Sequence, residues 1–201
     1  MNAAFHDELI AMCKAHPELK IAFQYEQWET DYLRFFRSQV NYNVSRESTR
    51  LHAHVYKGQR SCSFGMDNPD IPTLHRKMED SLKIIDHLPP DPDFVDLEDD
   101  TRLAPPAEPA DSFAAAPLER KVEILRRLAE AVEPLGFRIY GTFICNRTTV
   151  DIINSNGVDK TMTHSPLMLE VKAVSDANEV TVLQSYGGED MSFFNEDDFT
   201  R

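Results

Sequence analysis

Two of the seven histidines, His52 and His54, have the residue type and spacing that could bind a metal ion. They lie two residues apart in a stretch where apolar and polar residues alternate, so in a strand both imidazoles would project from one face. Such a pair can chelate zinc, but a zinc site needs at least a third protein ligand, and none is identifiable nearby. The sequence therefore favours the other interpretation, in which both imidazoles lie on a solvated or partner-facing strand surface.

The other histidines and the three cysteines match no catalytic motif. No histidine is followed by glutamate, which excludes the H-E-x-x-H pattern of zinc proteases, and the phosphate-binding glycine loops are absent. Cys13, Cys62 and Cys145 are widely spaced and form no C-x-x-C pair. Each lies on a periodic apolar face, which predicts a core position and a reduced thiol, as is usual in the cytosol.

The charge of the chain excludes two classes of partner. Its 201 residues contain 34 acidic and 21 basic side chains, a formal net charge of −13. Nucleic-acid binding depends mainly on Lys and Arg at phosphates, and an anionic membrane surface repels an acidic protein. We also find no apolar run long enough to span a bilayer and no signal peptide at the N-terminus. We therefore expect a cytoplasmic protein that binds neither nucleic acid nor membrane.

Hydrophobic periodicity predicts the elements that must position these residues. Helical spacing predicts helices over about 4–16, 71–87 and 117–133. Alternation predicts four strands between about 20 and 66, with breaks at 45–48 and 57–59, and five strands between 137 and 186. The predicted buried stripe of the last helix consists of Leu118, Val122, Leu125, Leu128 and Val132.

This order of elements predicts an α+β fold in which antiparallel meanders pack with helices. A helix followed by a meander occurs twice, which is the order that an internal duplication would give. Between the two halves, residues 89–116 are rich in proline and acid. Such a segment buries too little apolar surface to offset its ordering entropy, so we interpret it as a linker or surface excursion within a single domain, 1–201.

The sequence Asn154-Ser155-Asn156-Gly157 separates two strands of the second half. Asn-Gly is the strongest short hairpin signal, because a type I′ turn needs positive φ at both central residues. We interpret these four residues as a structural turn that sets the register of the sheet.

The order of these features resembles the N-terminal domain of the TldD/PmbA family, whose members are described as zinc metalloproteases and also labelled modulators of DNA gyrase. The resemblance covers nearly the whole chain: the helix, the charged meander over 44–64, the next helix, the acidic gap, the helix over 118–132 and the turn. In that family an Asn-Ser-x-Gly turn lies between two strands, and Asn154, Ser155 and Gly157 match it. The resemblance implies a non-catalytic domain that contributes to subunit assembly and to the enclosure of unfolded peptide substrates in proteolysis. It also implies a homologous subunit as partner, in a homo- or heterodimer.

The resemblance also implies zinc, which in the family is held by an H-E-x-x-x-H motif of the C-terminal domain. This sequence reaches Arg201 without that motif, so no catalytic residue can be carried over. We expect no cofactor in this chain and no peptide hydrolysis by the chain alone. Two alternatives stay open: a stand-alone binding or adaptor module that pairs with a catalytic subunit, and a small metal-dependent enzyme that uses His52 and His54.

Overall fold

The computed structural model describes residues 1–99, 111–175, 177 and 180–199. Within this part of the chain no helix is long and apolar enough to cross a membrane. The helices are α1 (Ala3–Ala15), α2 (Ile71–Ile85), α3 (Ser112–Ala115) and α4 (Leu118–Val132). The strands are β1 (Lys20–Phe36), β2 (Gln39–Lys57), β3 (Arg60–Asp67), β4 (Phe137–Asn154), β5 (Asp159–His164), β6 (Leu167–Ser175) and β7 (Thr181–Gly188).

The strands form one seven-stranded antiparallel sheet in the order β3-β2-β1-β4-β6-β7, and β5 pairs with β4. The predicted α+β class with antiparallel meanders is thus confirmed. The predicted break at 45–48 is wrong, because β2 continues through it, and the first two strands predicted in the second half are one strand, β4. The internal duplication and the single domain over 1–201 stay predictions, and much of the predicted linker, 100–110, lies outside the described residues.

The chain divides into two compact units. The first comprises the described residues of Met1–Gln27, Ser48–Pro106 and Thr149–Met162. Its two helices begin at side-chain caps: Asn2 accepts a 2.8 Å hydrogen bond from the Phe5 N–H, and Asp70 accepts one of 2.9 Å from the Thr73 N–H. The helices pack their apolar faces on the sheet, and the core includes Phe5, Leu9, Met12, Ile21, Phe23, Leu51, Val55, Leu74, Met78, Ile85 and Ile153.

The second unit comprises the described residues of Trp28–Glu47, Ala107–Thr148 and Thr163–Arg201. Helix α4 packs on its strands, and the core includes Leu33, Phe35, Ile124, Leu125, Leu128, Ile139, Phe143, Leu167 and Leu169. The predicted stripe of α4 is partly wrong, because Leu118 and Val122 are 41% and 40% exposed. The buried face instead includes Lys121, whose ammonium lies 3.2 Å from the Asp31 carboxylate and is thereby compensated.

Candidate functional site

The turn between β4 and β5 is organised by the side chain of Asn154. Its Oδ1 accepts hydrogen bonds from the main-chain N–H groups of Asn156, at 2.9 Å, and Val158, at 3.1 Å. The Asn154 N–H donates to the Val158 carbonyl at 2.9 Å, and the Gly157 N–H donates to the Asn154 carbonyl at 3.2 Å. An asparagine side chain that accepts hydrogen bonds from main-chain N–H groups further along the chain stabilises a turn.

The predicted type I′ geometry is wrong. Within the turn only Gly157 has a positive φ, of 95°, whereas a type I′ turn needs two such residues. The pattern is that of a three-residue loop closed by a glycine bulge, which needs positive φ at a single position. The turn itself therefore forms where the sequence places it, with a different backbone path.

The turn is bound to the first residues of β1. The Ser155 N–H donates to the Ile21 carbonyl at 2.9 Å, and the Ile21 N–H donates to the Ser155 Oγ at 3.0 Å. The Lys20 ammonium donates to the Asn156 Oδ1 at 2.6 Å. Three of the four predicted turn residues thus form side-chain hydrogen bonds: Asn154 within the turn, and Ser155 and Asn156 to β1.

The turn also holds the start of the acidic segment. The Asn154 Nδ2 donates to the Glu98 carbonyl at 2.8 Å, and the Asn156 Nδ2 donates to the Leu97 carbonyl at 2.7 Å. The Lys20 ammonium lies 3.4 Å from the Asp96 carboxylate. The Leu97 N–H, followed by Lys20, holds the pKa of Asp96 below its usual value. Two side-chain amides therefore bind consecutive main-chain carbonyls, a contact that does not depend on the side chains of the bound segment.

A cavity of about 460 Å³ lies beside the turn. Helix α1 contributes Ile10, Cys13 and Lys14, and the beginning of β1 contributes Leu19 and Lys20. The turn and the first residue of β5 complete the wall with Ile153, Asn154, Ser155, Gly157, Val158 and Asp159. Burial raises the pKa of the Cys13 thiol to about 11, so this cysteine stays protonated at neutral pH and is a packing residue. The wall therefore combines apolar side chains with the polar turn and three charged side chains, Lys14, Lys20 and Asp159.

His52 and His54 both lie on β2, two residues apart, as the sequence predicts. Their partners across the ladder to β3 are Gly65 and Ser63, which supply no typical zinc ligand. Among the described residues, no group of three or more His, Cys, Asp or Glu side chains could hold a metal ion. Within the described residues, His52 and His54 therefore lack a third ligand for a metal ion.

A strand segment with no buried side chain lies at the start of β2. Every residue of 39–47 is exposed, including the apolar side chains of Val40, Tyr42 and Val44, at 40%, 52% and 39%. The ladder to β3 begins only at Arg50, and the Thr49 carbonyl accepts from the Asn68 N–H at 2.9 Å, so within the described residues 39–48 has no strand partner on that side. Unpaired main-chain groups next to exposed apolar side chains form a template for pairing with another chain.

Two buried or half-buried cations were not identified from the sequence. Arg147 on β4 lies 3.3 Å from the Glu29 carboxylate, forms an ion pair with Asp111 and covers the Phe113 ring at 4.9 Å. Lys121 is only 1% exposed. Lys121 interrupts the apolar face of α4, and Arg147 interrupts the alternation of β4. These interruptions are the one signal that the sequence offers.

No family model and no curated protein matches the sequence. Solved structures do match the fold. TldE from Thermococcus kodakarensis matches with a TM-score of 0.76 at 13% identity, over 97% of this chain and 45% of that one. Two structures labelled as modulators of DNA gyrase match as well. The one from Thermotoga maritima has a TM-score of 0.68 at 14% identity, over 98% of this chain and 45% of that one. The one from Bacteroides thetaiotaomicron has a TM-score of 0.70 at 15% identity, over 97% and 47%.

These likenesses show that the chain has the fold found in part of TldE and of the two gyrase-modulator structures. The resemblance predicted from the order of the elements and from the Asn154-Ser155-x-Gly157 turn is thus confirmed at the level of the fold. The chain spans less than half the length of each of these proteins.

Proposed function

We propose that this chain acts as the N-terminal, non-catalytic domain of a TldD/PmbA-type protein, where it assembles with a homologous subunit and helps to enclose unfolded peptide substrates in proteolysis. The fold likeness to TldE over 97% of the chain supports the class of protein. The observation that carries the assembly role is the fully exposed strand segment 39–47 with its unpaired outer edge. Such an edge gains main-chain hydrogen bonds and buries apolar surface when a second chain covers it.

The proposed role in enclosing peptides rests on the edges of the sheet. Strands β3 and β7 end the main strand order, and β5 pairs with β4 alone. An unfolded peptide can add to such an edge through main-chain hydrogen bonds, which place few demands on its sequence. Weak dependence on sequence suits a protein that receives many different unfolded chains.

The proposed protein works in the cytoplasm, and its zinc would be bound by residues outside the described part of the chain. Cys13, Cys62 and Cys145 are all free, and Cys13 and Cys145 are buried, which fits a reducing compartment. Peptide bond cleavage would depend on the metal domain that the family carries. This chain contributes the surfaces that bring subunit and substrate together.

Mixing this chain with a TldD/PmbA-type subunit that carries the H-E-x-x-x-H motif tests the proposal. We expect a stable complex in size-exclusion chromatography with light scattering, and faster cleavage of an unfolded casein by the mixture than by that subunit alone. The chain alone, supplied with zinc, should cleave nothing. Cleavage by the chain alone, or no complex with any such subunit, would contradict the proposal.

The reading frame downstream of Arg201 separates the proposal from its alternative. A continuation with the H-E-x-x-x-H motif supports the domain of a larger protein. A stop codon supports the stand-alone adaptor, which would pair with a separate catalytic subunit.

A further inference from the structure

We propose that the sheet face of the second unit that points away from α4 binds acidic segments of unfolded polypeptide, in a depression where two cations flank a pair of aromatic rings. The ligand class is a peptide with an aromatic residue next to carboxylates. This inference rests on the proposed role in enclosing peptides, and it gives that role a surface and a preferred peptide composition.

The side chains of β1 distinguish the two faces of this sheet. Leu33 and Phe35 are buried in the core with α4. Successive residues of a strand point to opposite faces, so Arg34 and Phe36 project from the face away from α4. Both are exposed, Phe36 at 47%. The Phe36 ring contacts the ring of Tyr140 in β4, with centroids 5.0 Å apart and planes at 90°. Tyr140 therefore lies on the same face.

The same face continues on β6 and β7. Tyr140 lies directly opposite Lys172 of β6, and Lys172 lies opposite Leu183 of β7. Directly opposite residues of antiparallel strands project to the same face. Lys172 is exposed, and Leu183 is 60% exposed. A row of two aromatic rings, an ammonium group and an apolar side chain thus crosses four strands.

A depression of about 360 Å³ lies in this face. Phe36 and Tyr140 contribute aromatic walls, Thr142 contributes a hydroxyl group, and Arg34 and Lys172 contribute the charges. The other lining residues are Phe35, Gly141 and Val174. An aromatic side chain bound there would bury apolar surface and make further edge-to-face contacts with the two rings.

Three exposed cations surround the aromatic pair. Arg34 and Lys172 line the depression, and the guanidinium of Arg37 lies 5.8 Å from the centroid of the Phe36 ring. None of these three makes an ion pair with the residues that the structure describes. Unpaired positive charge here contrasts with the net charge of −13 of the whole chain. A carboxylate next to the bound aromatic residue would complement it.

The acidic side chains near the depression do not cancel this charge. Glu133 lies 2.7 Å from Arg138, so that pair is neutral. Glu170 lies two residues before Lys172 on β6, on the same face, and is exposed without an ion pair in the described ranges. Three cations against this one carboxylate leave an excess of two positive charges on the described part of the face.

The charge of the whole chain favours a peptide over a nucleic acid. Nucleic-acid binding draws on many Lys and Arg contacts to phosphates, and a net charge of −13 opposes it at long range. A nucleic-acid base would stack on an open aromatic face, whereas Arg37 already covers the ring of Phe36. An acidic peptide needs only the local excess of positive charge.

Fluorescence anisotropy with a labelled peptide tests the inference. The probe has one phenylalanine between two glutamates in a serine–glycine background, and two matched peptides replace the phenylalanine by serine or both glutamates by glutamines. We expect the probe to bind and each matched peptide to bind at least tenfold more weakly, about 1.4 kcal/mol. A labelled single-stranded oligonucleotide of the same length should bind more weakly than the probe. Oligonucleotide binding as tight as that of the probe would contradict a peptide site.

Variants of this face locate the site. Phe36→Ser removes the exposed ring, and Arg34→Glu with Lys172→Glu reverses both charges of the depression; each change should weaken probe binding at least tenfold with an unchanged circular dichroism spectrum. Glu170→Gln removes the carboxylate of the face and should strengthen probe binding, a result that a loss of folding cannot produce. Lys83→Glu changes a side chain on α2 that is 68% exposed and should leave binding unchanged.

The outcomes separate the site from the proposed peptide role. Probe binding that neither Phe36→Ser nor the double charge reversal affects would overturn the site while leaving the peptide role intact. No binding of the probe or of either matched peptide would contradict both. Loss of self-association in the Phe36→Ser variant, measured by sedimentation velocity, would assign the face to a second copy of the chain and overturn the peptide site.

Discussion

The side-chain amide of Asn156 donates a 2.7 Å hydrogen bond to the main-chain carbonyl of Leu97, 59 residues earlier in the chain. With Asn154, which binds the Glu98 carbonyl, it makes the turn between β4 and β5 the attachment point of the acidic segment. A turn that the sequence identifies only as a hairpin signal therefore also organises a second part of the first unit.

Asn154→Ala should destabilise the protein by about 1–3 kcal/mol, because it leaves the buried N–H of Val158 and the part-buried N–H of Asn156 without their acceptor. It also frees the Glu98 carbonyl, so main-chain amides over 96–99 should exchange hydrogen faster. Urea unfolding and hydrogen exchange by mass spectrometry measure the two effects. Asn43→Ala changes an exposed asparagine on β2 and should do neither. Equal stability of the two variants would contradict the assigned role of Asn154.

Gly157→Val should cost about 1 kcal/mol or more, because a β-branched residue resists positive φ. A Cβ at position 157 would meet no atom within 4 Å, so the cost is conformational and not steric. Gly187 offers a matched control, since a Cβ there also meets nothing within 4 Å and its φ is not positive. Differential scanning calorimetry should show a lower Tm for Gly157→Val than for Gly187→Val. The reverse order would argue against the glycine bulge.

Asp31→Ala should destabilise the protein more than Lys121→Met. The first leaves the ammonium of Lys121, which is 1% exposed, without its carboxylate, and breaking a buried pair in this way costs about 3–5 kcal/mol. The second leaves a carboxylate that is 21% exposed and that Ser45 still bonds, so its loss of stability should be smaller. Guanidinium unfolding of both single variants and of the double variant measures the coupling. Equal effects of the two single variants would show that the pair is not buried as described.

His6 should make the stability depend on pH. Its hydrogen bond to Asp159, followed by the charge of that carboxylate, raises the pKa of His6 above its ordinary value of 6.5. The folded state therefore binds the proton more tightly than the unfolded chain does. The resulting stability is fully present below pH 6.5 and is lost as the pH rises through the folded pKa. Urea unfolding from pH 5.5 to 8.5 should show this decline, and Asp159→Asn should reduce it. An NMR titration that places the folded pKa of His6 below 6.5 would contradict the assignment.

The sequence predicts well the elements that have one buried face and a clear end. Helix α2 begins at the Asp70 cap with Pro72 in its first turn, and both signals are visible in the sequence. The predicted core positions of Cys13 and Cys145 are also confirmed, whereas Cys62 is only partly buried and packs against the first core.

The sequence fails where burial does not decide the structure. The polar residues at 45–48 looked like a break because a strand was expected to bury one face, whereas the main chain of β2 continues there with both faces exposed. The tight turn between β1 and β2 has positive φ at Arg37 and Ser38, 51° and 61°, and neither residue type signals such a turn. Helix α4 buries a different face from the predicted stripe, and this face includes Lys121, whose partner Asp31 is 90 residues away in sequence.

Of the candidate site, the sequence identified the turn residues but not their partners. Lys20, Leu97 and Glu98 carry no pattern that points to residues 154–157, since side-chain amides bind main-chain carbonyls whatever the residue type. The cavity arises from α1, the start of β1 and a turn that follows more than a hundred residues later, and such a juxtaposition is not encoded in any local period.

Sedimentation velocity of the purified chain and of two double variants tests the assembly surface most directly. We predict that the chain self-associates or pairs with its homologous subunit, and that Tyr42→Lys with Val44→Lys weakens this association at least tenfold, because it places charge on the exposed segment 39–47. Val182→Lys with Leu183→Lys makes the same change on β7, where the side chains are 54% and 60% exposed, and should leave the association unchanged. The proposed role would be contradicted by a wild-type chain that stays monomeric both alone and in a mixture with the homologous subunit. It would also be contradicted by an association that the Tyr42→Lys, Val44→Lys variant retains in full.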